Sequence, residues 1–302
     1  MTSDFLIIGG GPSGLSAALF LAKAKRQVTL LHKGDHPHLH SFHWLLPGFA
    51  SDNNGVWLKS LRAQVEGLGV SILAEEVTEA TLGASEKKLS TQSGKNYEAS
   101  VVLLASGCHD RRGFIEGEEK FVGRGVFYNA YQEGFWFEGK DVVVEGKSEQ
   151  AIRETLYLSR FANKVYLVVP AMKLEVDSKL AEQVQKNPKI QSFLSASLKK
   201  IEGEEKIASA IVLSAGEEKK FEINGAFLYS RPSMPQYEFL KGTVEISEEG
   251  SVLVDDTFMT SIPGVFACGD MVAGQPQFSF VSAAQGLAAA MYADRYLSNL
   301  NP

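Results

Sequence analysis

Cysteine is nearly absent from this chain. Its 302 residues include two, Cys108 and Cys268, far apart and neither with a Cys-x-x-Cys neighbour. That spacing excludes a disulfide framework and a cysteine-rich zinc centre. Long apolar runs are also missing: no uninterrupted stretch reaches membrane-spanning length, so no membrane partner is expected. Positive charge is not in excess, with 30 Lys and Arg against 36 Asp and Glu for a net charge of −6. A nucleic-acid partner, which would want a clustered basic face, is therefore not expected. The basic doublets Lys87-Lys88, Lys199-Lys200 and Lys219-Lys220 alternate with acidic ones and read as solvated turns. The apolar N-terminal run has no basic n-region and contains three consecutive glycines. It reads as structure rather than a signal peptide, and a soluble cytoplasmic protein is expected.

What is abundant is glycine, 28 residues, set among alternating strand and helix patterns that point to an α/β fold. The strongest segment is "DFLIIGGGPSGLSAALFLAKAKRQVTLLHKG". Phe5 to Ile8 read as a buried strand, Gly9 to Gly14 fit GxGxxG, Leu15 to Ala24 are helix-forming, and Val28 to Leu31 read as a second strand. Gly9 makes the tight turn, Gly11 admits a pyrophosphate to the backbone, and Gly14 permits close helix–strand packing. The helix N-terminus adds oriented N–H donors for phosphate. At the end of the second strand, where a carboxylate commonly takes the ribose hydroxyls, stands His32, with Asp35 close by. Imidazole can also hydrogen-bond a ribose.

Near the other end, "TSIPGVFACGDMVAG" reads as a short strand, Val265 to Cys268, ending in Gly269-Asp270, with a helix from about Ser282 to Leu297 beyond. In this constellation the aspartate caps a helix and contacts the ribityl or pyrophosphate region of FAD. Between the two segments, "VVLLASGCHDRR" has the strand-then-small-residue form of a crossover leaving a flavin domain.

With those three segments the chain resembles the low-molecular-weight thioredoxin reductase family almost end to end. "LLPGF" (Leu45 to Phe49), "LLASG", "GVFACGD" and "SAAQG" all match its pattern, and "LYSRPSMPQ" is nearer to dithiol oxidases that close disulfides in small natural products. The resemblance implies two Rossmann-like three-layer domains and a homodimer. The FAD domain is discontinuous, residues 1–113 and 245–302, with a pyridine-nucleotide-type domain, 114–244, inserted between. The implied FAD contacts are Gly9, Gly11, Pro12, Ser13, Gly14, His32, Lys33, Val77, Ala105, Ser106, Gly107, Gly269, Asp270, Phe278 and Ser279.

The departures from the family are as informative. Where its members carry Cys-x-x-Cys, this chain has Asn129-Ala130-Tyr131-Gln132, so no thiolate forms there. Asn129, Tyr131 and Gln132 either position a substrate or water on the flavin face, or fill the space left by the cysteines. "VVVEGKSEQA" takes the place of the NADPH fingerprint: Gly146 is kept, Ser148 replaces a glycine, and Glu149 adds negative charge. The basic residues that would hold a 2′-phosphate are replaced by Val169-Pro170-Ala171-Met172. A buried phosphate without a cation is costly, so NADPH binding is expected to be lost.

Cys108, beside His109 and Arg111, is the better candidate for a reactive thiol, with packing as the alternative for both cysteines. His36, His38, His40 and His43, with Phe42 and Trp44, are open to three readings: flavin-pocket lining, an exposed loop, or a metal site. The sequence thus points to an FAD-dependent oxidoreductase whose electron partner is a small molecule or a redox protein such as ferredoxin. The alternative is a catalytically silent flavin-binding sensor or scaffold. Tyr131, Phe135, Trp136, Phe278 and Phe280 also leave room for a second flavin or another flat aromatic ligand.

Overall fold

The structure, a computed structural model, describes residues 2–34, 46–49, 55–84, 86–109, 115–229, 234–235, 237–248, 250–274 and 276–300. The chain divides into two compact units, Met1–His109 with Met234–Pro302, and Asp110–Ser233.

The first unit opens with β1 (Thr2–Ile8), α1 (Pro12–Lys23) and β2 (Val28–His32), followed by α2 (Val56–Gly67) and β3 (Ser71–Ala74). The three strands pair in parallel, β3-β2-β1, as the βα alternation requires. Strands β4 (Val77–Leu82), β5 (Lys87–Thr91) and β6 (Asn96–Leu104) form an antiparallel meander that brings β6 back beside β1. Alternation along β1 sends Phe5 and Ile7 into a cluster with Leu21, Leu30 and Leu58, while Leu6 and Ile8 join Leu31, Val102 and Leu104 on the opposite face. A two-residue strand, β7 (Cys108–His109), ends this part.

The second unit carries α3 (Glu118–Phe121), β8 (Val126–Phe127), α4 (Ala130–Glu133) and a short 3₁₀ turn, then β9 (Asp141–Glu145), α5 (Glu149–Leu158), β10 (Lys164–Val169), α6 (Ser178–Lys186) and β11 (Ile190–Leu194). An antiparallel sheet, β12 (Ala196–Gly203), β13 (Ile207–Ser214) and β14 (Glu217–Glu222), leads to β15 (Gly225–Leu228). The main sheet runs β11-β10-β9-β15-β8, all parallel, and is the second Rossmann-like sheet. The apolar runs of β9 and β10 are buried on both faces, as a covered parallel sheet demands.

The chain re-enters the first unit at β16 (Met234–Pro235), which pairs with β7, then runs to β17 (Val265–Ala267) and α7 (Ser279–Leu300). The return lies earlier than residue 245, because Phe239, Leu240 and Val244 sit in the first unit's core. Strand β17 joins β6 in parallel, Val265 opposite Val102, and completes the large sheet. Two helices start earlier than their apolar patterns indicate. Helix α1 begins at Pro12, whose fixed φ suits the first helical position. Helix α7 begins at Ser279 and runs to Leu300, past the expected 282–297.

Candidate functional site: two dinucleotide turns of unequal state

In the first unit the turn between β1 and α1 has no room for side chains. Gly9 has φ +119°, and a Cβ there would lie 2.1 Å from the Ala105 carbonyl oxygen. A Cβ on Gly14 would lie 1.9 Å from the Gly9 carbonyl. Gly11 is the N-cap of α1 and makes no side-chain cap, and Pro12 and Ser13 follow in the buried first turn. The helix N-terminus therefore faces a backbone cradle that only glycine permits, which is the geometry a pyrophosphate needs.

The β17–α7 segment closes on the same turn. Gly269, at φ +80°, would place a Cβ 2.6 Å from Ser13 Oγ, and its N–H donates to Gln285 Oε1 at 2.8 Å. Asp270 Oδ1 accepts from Ser282 Oγ at 2.5 Å, so the aspartate is held by a first-turn side chain of α7. Gly286 brings α7 onto α1 so closely that a Cβ there would lie 2.0 Å from the Ser13 carbonyl oxygen. Ser282 and Gln285 lie in the "SAAQG" segment matched in the sequence, although neither was assigned a contact there. Their signal was small and polar residues recurring on a buried helix face.

The remaining first-unit residues are placed as follows. Ala105 is buried and roofs Gly9, Ser106 Oγ lies 3.7 Å from Met271 Sδ, and Gly107 has φ +68°. Lys33 is exposed and 3.2 Å from Glu76, while Val77 opens β4 and packs on the core. Phe278 is half-buried, and its carbonyl accepts the Ser282 N–H at 2.9 Å. Ser279 begins α7. His32 closes β2 and is buried, with Nδ1 2.7 Å from the Gly34 carbonyl oxygen and Nε2 without a hydrogen-bond partner among the described residues. Nε2 is thus a buried polar atom at the strand end, beside the glycine cradle.

Cys268 is not a poised nucleophile. Cys268 is fully buried, and burial pushes its thiol up to about 12. Cys108 Sγ–H donates to the Asp270 carbonyl at 3.0 Å, tying the crossover to the aspartate segment. His36, His38, His40, His43, Phe42, Trp44, Asp35 and Arg111 lie outside the described residues. Among the described residues there is no cluster of His, Cys, Asp and Glu able to hold a metal ion.

The second unit repeats the strand–turn–helix frame with different chemistry. Gly146 still admits a close approach, since a Cβ there would lie 2.8 Å from Tyr229 Cβ and 2.9 Å from Ala151 Cβ. Ser148, however, is the N-cap of α5, and its Oγ accepts the Ala151 N–H at 3.2 Å. A helix N–H of the kind offered to phosphate is thereby satisfied internally. Glu149 pairs with Arg153 at 2.6 Å, and Lys147 lies 3.8 Å from Glu175. At the end of β10, Val169 is buried and Met172 is 87% exposed.

Asn129-Ala130-Tyr131-Gln132 forms the start of α4. The Asn129 side chain caps that helix by accepting the Tyr131 N–H at 3.0 Å, and Gln132 N–H donates to the Asn129 carbonyl at 3.2 Å. Tyr131 packs edge-on against Tyr157 with ring centroids 4.8 Å apart, and Trp136 packs likewise on Phe127 at 5.6 Å. Part of the expected stacking surface is thus taken up by the protein's own rings.

Sequence reasoning missed what lies beneath this turn. The buried Glu154 of α5 accepts from the Ala130 N–H and from Tyr229 Oη–H, and Gln150 Nε2 donates to its other oxygen at 2.8 Å. Burial raises the Glu154 carboxyl, against the lowering effect of those donors. Glu133 is pushed up to about 8, first by burial and then by the charge of Glu154. The available signal was an acid at position 154, on the face that buries Ala151, Thr155 and Leu158.

Comparisons with known proteins show the family and the fold. Residues 3–288 match the family model described as pyridine nucleotide-disulphide oxidoreductase. A thioredoxin reductase of Aquifex aeolicus is 32% identical over 301 residues, covering 98% of this chain and 93% of the relative. The crystal structure of thioredoxin reductase from Streptococcus pyogenes is similar with a TM-score of 0.92 at 27% identity, covering 99% of each chain. Thioredoxin reductase from Giardia duodenalis is similar with a TM-score of 0.91 at 26% identity, covering 98% of this chain and 99% of that one.

Proposed function

The chain belongs to the pyridine nucleotide-disulphide oxidoreductase family, and we propose that it is a member that works without a dithiol of its own and without NADPH as donor. It is an FAD-dependent oxidoreductase with a thioredoxin reductase-like fold. FAD, when bound, supplies the two-electron redox chemistry, and the chain supplies binding, orientation and exclusion of water. Gly9, Gly11, Gly14 and Asp270 would hold it in the first unit, with His32 at the ribose.

The observation that carries the reading is the contrast between the two turns. The first keeps its glycine cradle, while the second caps its helix with Ser148 and surrounds it with Glu149 and Glu175. The relatives are thioredoxin reductases by name, but a disulfide partner would find no thiol in residues 110–233 of this chain. Electrons would pass directly between the flavin and a redox protein or small molecule. The proposal includes a cytoplasmic homodimer with one FAD per chain.

The rival reading, a silent flavin-binding sensor or scaffold, is favoured by the loss of the dithiol. Anaerobic mixing of the yellow protein with reduced ferredoxin, reduced flavin mononucleotide or NADPH separates the readings. Rapid bleaching by either of the first two supports the enzyme, and a flavin that none of the three reduces supports the sensor. Rapid bleaching by NADPH overturns the proposed donor.

A further inference from the structure

The Gly269-Asp270 segment is held from several sides, and one of the holds is a thiol. From α7, Gln285 Oε1 accepts the Gly269 N–H at 2.8 Å, and Ser282 Oγ–H donates to Asp270 Oδ1 at 2.5 Å. From the crossover, Ser106 Oγ lies 3.7 Å from Met271 Sδ, and Cys108 Sγ–H donates to the Asp270 carbonyl oxygen at 3.0 Å. A carbonyl oxygen only accepts, so this last bond exists only while Cys108 carries its hydrogen. Gln277 Nε2 approaches the same sulfur at 4.0 Å, so the thiol donates on one side while an N–H faces it on the other.

The thiol is anchored on its own side as well. Cys108 lies on β7, where the chain leaves the first unit, and pairs with Pro235 of β16, where the chain returns. The bond therefore ties this two-stranded ribbon to the aspartate. Its effect on Asp270 is geometric. The Gly269 N–H and the Asp270 carbonyl stand at opposite ends of one dipeptide, and Gly269 takes the unusual φ of +80°. With both ends held, the direction in which the Asp270 side chain leaves the backbone is set, and Ser282 then orients the carboxylate. Without the carbonyl anchor the peptide after Asp270 is free to rotate, and Ser282 holds the side chain alone.

Resting on the reading that Asp270 holds FAD in the first unit, we infer that Cys108 is a positioning residue for that aspartate, its thiol hydrogen keeping the Asp270 peptide in the orientation that retains the flavin. What Cys108 contributes is a donor. A hydroxyl in its place can do the same, whereas a side chain without a donor cannot. Packing alone makes a different prediction, because serine and alanine are both smaller than cysteine and leave similar gaps. A group on sulfur that displaces the hydrogen should likewise loosen the flavin.

The test measures flavin retention, not turnover. Full-length wild type, Cys108→Ser and Cys108→Ala are freed of flavin and titrated with FAD by flavin fluorescence quenching. Cys108→Ala should bind FAD about fivefold more weakly, the scale of one modest hydrogen bond, and Cys108→Ser should stay within about twofold of wild type. If Cys108→Ser binds as weakly as Cys108→Ala, or Cys108→Ala as tightly as wild type, the role of Cys108 is overturned while the flavin reading stands. Wild-type protein that binds no FAD overturns both. The infrared S–H stretch of the wild-type chain supplies a reading that needs no substitution, should a variant fail to fold. A small methylthiolating reagent should remove the band of the half-buried Cys108 and spare that of the fully buried Cys268. The lost band should lie below that of a thiol dissolved in hydrocarbon, because donating a hydrogen bond weakens S–H. A band at the hydrocarbon position overturns the inference.

Discussion

Tyr229 donates its phenolic hydrogen to Glu154 at 2.5 Å, and the Ala130 N–H converges on both oxygens, reaching Tyr229 Oη at 2.9 Å. The turn from Asn129 to Gln132 is therefore seated on a buried carboxylate and not merely on apolar packing. Removing the carboxylate leaves a buried N–H and a buried hydroxyl to find new partners. Glu154→Ala should cost about 3 kcal/mol in urea unfolding, and Glu154→Gln, which keeps an acceptor, about 1 kcal/mol. Equal losses for the two substitutions would mean that volume, not hydrogen bonding, is what Glu154 contributes.

Glu133 gives the second unit a pH dependence of defined sign. Its carboxyl is pushed up to about 8 in the folded protein from an ordinary value of 4.5. Between those values the folded chain keeps a proton that the unfolded chain releases, so stability falls as pH rises through the window and levels off above it. Glu133→Gln should flatten that slope and stabilise the protein by about 2 kcal/mol at the alkaline end. Thermal unfolding across the window for both proteins checks this, and parallel curves would count against it.

The Gly9 turn is intolerant of even a methyl group. Gly9→Ala puts a Cβ against the Ala105 carbonyl, in a backbone conformation that L-residues avoid. The purified variant should be colourless or nearly so by visible absorbance, whereas wild type should carry about one FAD per chain. A fully yellow Gly9→Ala protein would show that the turn is not the pyrophosphate cradle.

The second turn should behave as a structural cap. Ser148→Ala should lower stability by about 1 kcal/mol, the usual cost of losing an N-cap oxygen. It should not confer reduction of the flavin by NADPH or NADH, because Glu149 and Glu175 remain. Anaerobic stopped-flow mixing of both proteins with each nucleotide provides the measurement.

How far the sequence could be read followed the range of the interactions involved. The strand–turn–helix at Gly9 to Gly14 is local, and each glycine's role follows from its neighbours within a few residues. The Gly269-Asp270 segment was legible for the same reason. The seat under Ala130 was not, because Glu154 and Tyr229 stand 75 residues apart and each alone looks ordinary. The early start of α7 escaped notice because Phe278 to Phe280 resemble a loop until Ser282 bonds back to Phe278 and to Asp270. The return to the first unit at Met234 was hidden because its strand has two residues.

The crossing of Gly286 over Ser13 also bears on the order in which the protein assembles. Residues 110–233 form a contiguous unit and can fold as soon as they leave the ribosome. The first unit cannot, because the Gly9 turn is flanked by the β17–α7 segment, made after the inserted unit. Its opening strands must wait, exposed, while the inserted unit is synthesised. Completion of the turn is thereby deferred until α7 is made, and chains that stop short of α7 should be left as unliganded, aggregation-prone intermediates rather than as partly active protein.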